Sequence, residues 1–176
     1  MEKINYKLLA WLSVLLLVLL IVFYVIEFDY IGNTIGFNHL VVKSLVVAFF
    51  AGILLGLHFQ KKGKEQVDRI RIWSASLLLP LFFAPWLGSL TNRMMPRNAV
   101  IVKSFEFVEE RPFAASAYGF LQGETVEEDG CYLFVYYEGE IHRLKRKKCE
   151  FHDRENGDVI DLPVRKGLWG YEVVDR

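Results

Sequence analysis

Apolar residues form three long runs along the first half of the chain, then give way to short segments in which apolar and polar positions alternate. The first run, Leu8 to Ile26, contains no charge. The second, Leu40 to Phe59, holds only Lys43, placed where its ammonium can snorkel to the headgroups. The third is Ile72 to Leu90. About 20 apolar residues at ~1.5 Å per residue span a hydrocarbon core ~30 Å thick. The pattern predicts three transmembrane helices, at about 8–28, 40–59 and 72–90, in a membrane domain covering 1–92. The apolar core of the first run is too long for a cleaved signal peptide, and no small-residue cleavage site precedes Glu27.

The second half reads as strands. Candidates are Ala99–Val108, Ala114–Gln122, Cys131–Tyr137, Ile141–Lys148, Val159–Pro163 and Tyr171–Val174. Glu138-Gly139-Glu140 marks a hairpin turn, and Asn156-Gly157 reads as a primed turn because both residues tolerate positive φ. Residues 93–176 are therefore expected to form an extramembrane all-β domain, a barrel or sandwich of SH3-like or OB-like size. A few membrane helices followed by such a domain is an organisation similar to NfeD-like membrane proteins. It also looks like the membrane effectors of bacterial antiphage signalling that carry a nucleotide-sensing barrel on the cytoplasmic side. Both resemblances are architectural.

Charge sharpens the division. Five acids and eight bases precede Thr91, whereas sixteen acids and thirteen bases lie from there on. The zero net charge argues against nucleic acid as the main partner. Lys3, Lys7, Lys61, Lys62, Lys64, Arg69 and Arg71 fall on one side of the predicted spans, against Arg93, Arg97 and Lys103 on the other. The positive-inside rule then predicts a multi-pass protein of the cell (inner) membrane. Its amino terminus would be cytoplasmic and its C-terminal domain periplasmic or extracellular.

Few residues suggest chemistry. In the second run Ser44, Ala48, Gly52 and Gly56 recur every four positions and form a small-residue stripe suited to helix packing. It would serve a dimer seam or a pore lining or, as the commoner use, a contact with the first or third helix of the same chain. Pro80 and Pro85 each remove a backbone donor and are expected to kink the third helix. Trp11, Trp73 and Trp86 read as interface anchors. No Asp, Glu or Arg lies at mid-depth in any run, against a proton relay.

Cys131 and Cys149 fall on the two arms of the predicted hairpin, so a disulfide is a candidate if the domain lies outside the cytoplasm. A zinc set of Cys131, His142, Cys149 and His152 has suitable residue types, but its spacing puts ligands on opposite faces of regular strands. No metal or cofactor is expected. Arg143, Lys145, Arg146, Lys147 and Lys148 form a basic run: an anion-binding patch, or a solvated edge strand that discourages pairing. The serines and glycines fall in no nucleophile-elbow or phosphate-loop context.

The reading that follows is a non-enzymatic integral membrane protein. Its β-domain binds an unknown protein partner or scaffolds an envelope complex, and its helices hold it in the bilayer and form a homo-oligomer. The alternative is a ligand-gated oligomeric effector or pore with a sensing barrel.

Overall fold

The computed structural model describes residues 6–95, 99–114 and 129–175. Three helices come first: α1 (Tyr6–Ile31), α2 (Phe37–Phe59) and α3 (Gln66–Met94), with a single 3-10 turn, Gln60–Lys62, between the last two. All three are long and apolar enough to cross a membrane. Their outward side chains are large and apolar; Phe50 is 60% and Leu54 67% exposed to the surroundings. In water such a surface would be untenable, and in hydrocarbon it costs nothing.

The stripe on α2 faces α3. A Cβ at Gly52 would lie 2.7 Å from the Ser76 carbonyl oxygen, one at Gly56 2.7 Å from the Trp73 ring, and one at Gly88 2.8 Å from the Ser44 Cβ. Bare backbone on both helices therefore permits a close antiparallel contact. Helix α3 runs through both Pro80 and Pro85, as the apolar run predicts. Pro80 leaves the Ser76 carbonyl without its helical donor. Gly52 is the residue whose bare backbone faces that same oxygen.

The three tryptophans expected at the interface differ in their surroundings. Trp86 is buried and meets Phe83 at 6.1 Å, while Trp73 covers Gly56; Trp11 is 75% exposed. Helix α1 meets α3 at its C-terminal end, where Tyr24 contacts Phe82 and Phe83. Lower down the two separate around an apolar cleft of about 750 Å³ lined by Leu16, Leu20, Leu55 and Leu79.

The C-terminal part is one curled antiparallel sheet, a half-barrel of five strands. These are β1 (Ile101–Phe113), β2 (Gly130–Tyr137), β3 (Glu140–Arg146), β4 (Val159–Lys166) and β5 (Glu172–Val174), in the order β3-β2-β1-β4-β5. β1 runs five residues past the predicted strand end at Val108, with a bulge between Phe107 and Glu109. That bulge bends one strand so that its first half pairs with β4 and its second with β2. The expected strand 114–122 lies, apart from Ala114, outside the described residues. β3 ends at Arg146, two residues short of expectation.

Alternation supplies the core. Ile160, Leu162 and Val164 of β4 point inward beside Phe105, Phe107, Leu133, Val135, Leu144 and Val174. The β2–β3 hairpin turns on Glu138 and Gly139, both with positive φ, as a two-residue primed turn requires. Asn156-Gly157 departs from expectation. Only Gly157 has positive φ, and the Asp158 amide donates to the Glu155 carbonyl, which is the pattern of a type II turn before β4.

Candidate functional site

The residues that join helices to sheet make the most constrained site in the molecule. Glu27, at the top of α1, is 2% exposed. Its carboxylate accepts from Ser89 Oγ at 2.9 Å, Arg93 Nε at 3.2 Å and Arg93 Nη2 at 2.9 Å. The Arg93 guanidinium also lies 3.9 Å over the Tyr30 ring. A buried carboxylate is costly unless its lone pairs are met by charged donors, and here they are.

Asn33 and Asn92 are both fully buried. Asn33 sits in the α1–α2 loop. Its side chain accepts from the Lys145 amide at 2.7 Å and donates to the Lys145 carbonyl at 3.0 Å, as a neighbouring strand would. Its own carbonyl accepts from the Val174 amide at 2.9 Å, and the Ile35 amide donates to the Glu172 carbonyl at 2.8 Å. Lys145 is on one edge strand and Val174 on the other. The loop therefore bridges the open side of the half-barrel, and Ile35 packs on its core. Gly36 follows with φ 71, its bare Cα against the Tyr171 ring.

Asn92, near the end of α3, holds the β4–β5 turn. It donates to the Tyr171 carbonyl at 3.1 Å and accepts from the Trp169 amide at 3.1 Å, while its backbone carbonyl accepts from Leu168. Gly167 passes so close that any Cβ there would collide with Asn92. Trp169 Nε1 donates to Thr91 Oγ1 at 2.9 Å, and Lys43 of α2 lies 4.7 Å over the Tyr171 ring. Three successive helices, each reversing the last, put the α1–α2 loop and the chain after α3 at the same end, and there the structure fastens one to the other.

Lys103 Nζ of β1 donates to Glu172 Oε1 at 2.6 Å and to Tyr137 Oη at 2.9 Å, tying β1 to β5 and β2. Hydrogen bonds donated to Glu172 and then to Tyr137 raise its pKa above the usual lysine value of 10.5, outweighing the opposite effect of burial.

Between the helix ends and the sheet lies a cavity of about 480 Å³. Tyr30, Asn92, Arg93, Lys147, Arg165, Val173, Val174 and Asp175 line it.

The basic run does not converge as one patch. Lys145 pairs with Asp29 of α1 at 2.8 Å, and Arg146 pairs with Glu150 at 2.8 Å. Lys147 and Lys148 are exposed, and only Lys147 reaches the cavity. Arg143 lies 5.0 Å over the Tyr132 ring. It belongs to a different feature, the outer face of β1–β2–β3. There Tyr132 stacks on Phe113 at 4.5 Å, Arg111 approaches the Phe134 ring at 5.8 Å, Lys145 approaches Phe113 at 5.0 Å, and Tyr136 is 44% exposed.

Cys131 and Cys149 are joined, with Cα atoms 5.3 Å apart. They are not register partners, since Cys131 faces Arg146 and Cys149 lies in the loop after β3. Glu110 lies beside them, its carboxylate accepting from the Glu150 and Phe151 amides at 3.1 and 3.0 Å. His142 pairs with Val135 further along the hairpin, away from the two sulfurs.

Sequence reasoning missed Glu27, Asn33 and Asn92. Glu27 and Arg93 did carry a signal: opposite charges just beyond the ends of two apolar runs. No protein family, no curated protein and no solved structure matches this chain.

Proposed function

We propose that this is a non-enzymatic integral membrane protein whose half-barrel, held rigidly on the helix ends, binds a protein partner. The observation that carries the reading is the outer face of β1–β2–β3. Tyr132, Phe134, Tyr136, Arg111 and Arg143 stand there in adjacent rows. Aromatic and arginine side chains are the types that anchor protein interfaces. We read the half-barrel as OB-like, because β1 pairs with both β2 and β4 while β2–β3 and β4–β5 are hairpins. In such barrels the face of strands 2 and 3 takes oligonucleotides and oligosaccharides, so the fold analogy supports a binding surface here, and the aromatic and arginine side chains are what favour a protein on it. The positive-inside count supports a periplasmic or extracellular position for this face, where a Cys131–Cys149 disulfide would persist.

The test is a photo-reactive residue in place of Tyr136 in the full-length membrane-embedded chain. A discrete adduct with another protein is expected, reduced at least about tenfold by Arg143→Glu. Adducts only with a second copy would transfer the face to self-assembly. Absence of any protein adduct would sink the reading.

A ligand-responsive effector is the second reading, and one observation favours it. The cavity is walled by residues of both helices and sheet, so an occupant would touch both. Its helices would then respond through α3.

A further inference from the structure

The cavity at the helix–sheet junction has a composition that selects a ligand. We infer that it binds a phosphate group, presented by an anionic phospholipid headgroup or as a free phosphate. The inference draws on the membrane reading of the helices and is independent of the outer aromatic face.

Charge comes first. Arg93, Lys147 and Arg165 line the cavity, with Asp175 as the one lining acid, a balance of 3 − 1 = +2. Glu27 sits behind Arg93 and lowers this to +1. A lipid phosphodiester carries one negative charge and would neutralise what remains. Lys147 makes no ion pair among the described residues and is exposed, so its ammonium is available.

Preorganisation comes second. Arg93 is held by Glu27 through Nε and Nη2 and stacked over Tyr30. Arg165 is held by Asp175 through Nε at 3.0 Å and Nη2 at 2.9 Å. Each guanidinium keeps further N–H donors beyond those contacts, in a fixed plane suited to phosphate oxygens. Depth comes third. Tyr30 and Arg93 lie in the last turns of α1 and α3, the level at which spanning helices leave the hydrocarbon and meet headgroups.

The full-length chain is reconstituted in nanodiscs of phosphatidylcholine with phosphatidylglycerol, and retained lipid is counted by native mass spectrometry. Preferential retention of phosphatidylglycerol is expected. Lys147→Glu should reduce it at least about tenfold, since it turns an attractive phosphate contact into a repulsive one. Lys148→Glu, at the exposed neighbour outside the cavity, should change it by less than about twofold. Neither lysine makes an ion pair among the described residues, so both variants should fold. If inorganic phosphate in detergent raises the melting temperature and Lys147→Glu abolishes that shift while lipid retention shows no preference, the source is free phosphate. Equal losses for the two variants would reduce the effect to diffuse surface attraction and overturn the site. So would no preference for phosphatidylglycerol together with no response to phosphate.

Discussion

Glu27 shows how far a single residue's meaning depends on what folds next to it. By position it is the first charge after a long apolar run, at the end of the predicted first helix. In the fold it is almost fully enclosed and satisfied by Ser89 and Arg93, far from it in sequence. Asn33 is similar: a turn residue by composition, yet a substitute strand for Lys145 in the fold. Neither role is legible locally, because each depends on a partner more than sixty residues away. Lys103 leads to a prediction at this scale. Its folded pKa is raised by Glu172 and Tyr137, so the protonated form is the one stabilised. Its contribution is fully present below the unfolded value of 10.5 and is lost as pH rises through the higher folded value. The melting-temperature gap between wild type and Lys103→Met should therefore be constant from about pH 7 to about pH 9 and close as pH climbs past about 10.5. A gap that persists unchanged at high pH would show that the lysine contributes through its stem.

Among the elements, α2 and α3 form the best-determined pair. Small residues every four positions are legible as a contact stripe in any helix. Which surface the stripe meets is not, because a neighbouring helix and a second copy offer the same apolar landscape. The structure spends the stripe within the chain, with Gly52 against Ser76 and Gly56 against Trp73. Gly52→Leu would force α2 away from the Ser76 carbonyl and should cost about 1–3 kcal/mol, the usual effect of overpacking. The cost should be independent of protein concentration in detergent, as measured by thermal unfolding across a dilution series. A cost that shrinks on dilution, as a wild-type dimer dissociates, would instead place Gly52 in a seam between copies. The strands tell a parallel story. Alternation in β4 is plain in Ile160 and Leu162, although the strand runs past its expected end at Pro163 through Val164 to Lys166; the length of β1 is hidden, since a bulge breaks the period that sequence reading follows.

Taken as a whole molecule, the chain does not divide cleanly at residue 92. The α1–α2 loop supplies Asn33 and Ile35 to the half-barrel, and α3 supplies Asn92 to its β4–β5 turn. A fragment of residues 99–175 would lose these contacts and leave the edges of β3 and β5 unpaired. It should be less stable by at least about 3 kcal/mol, as several buried backbone groups lose partners at once. Amide hydrogen exchange of β1–β4 in the fragment and in the full chain checks this; equal protection would show a self-sufficient domain.

What the residues determine alone is the division of the chain. Unbroken apolar runs can satisfy their backbone only as helices in hydrocarbon, and alternating β-branched and aromatic positions favour a sheet with one buried face. These are properties of neighbours in sequence, so three helices and a β-domain were legible without coordinates. Tertiary structure decided the rest: that the loop after α1 bridges the half-barrel, that Glu27 and Arg93 neutralise each other, and that Arg93, Lys147 and Arg165 border one cavity. Each depends on groups brought together from distant parts of the chain. A periodic pattern records which face of an element is buried, but not which other element buries it.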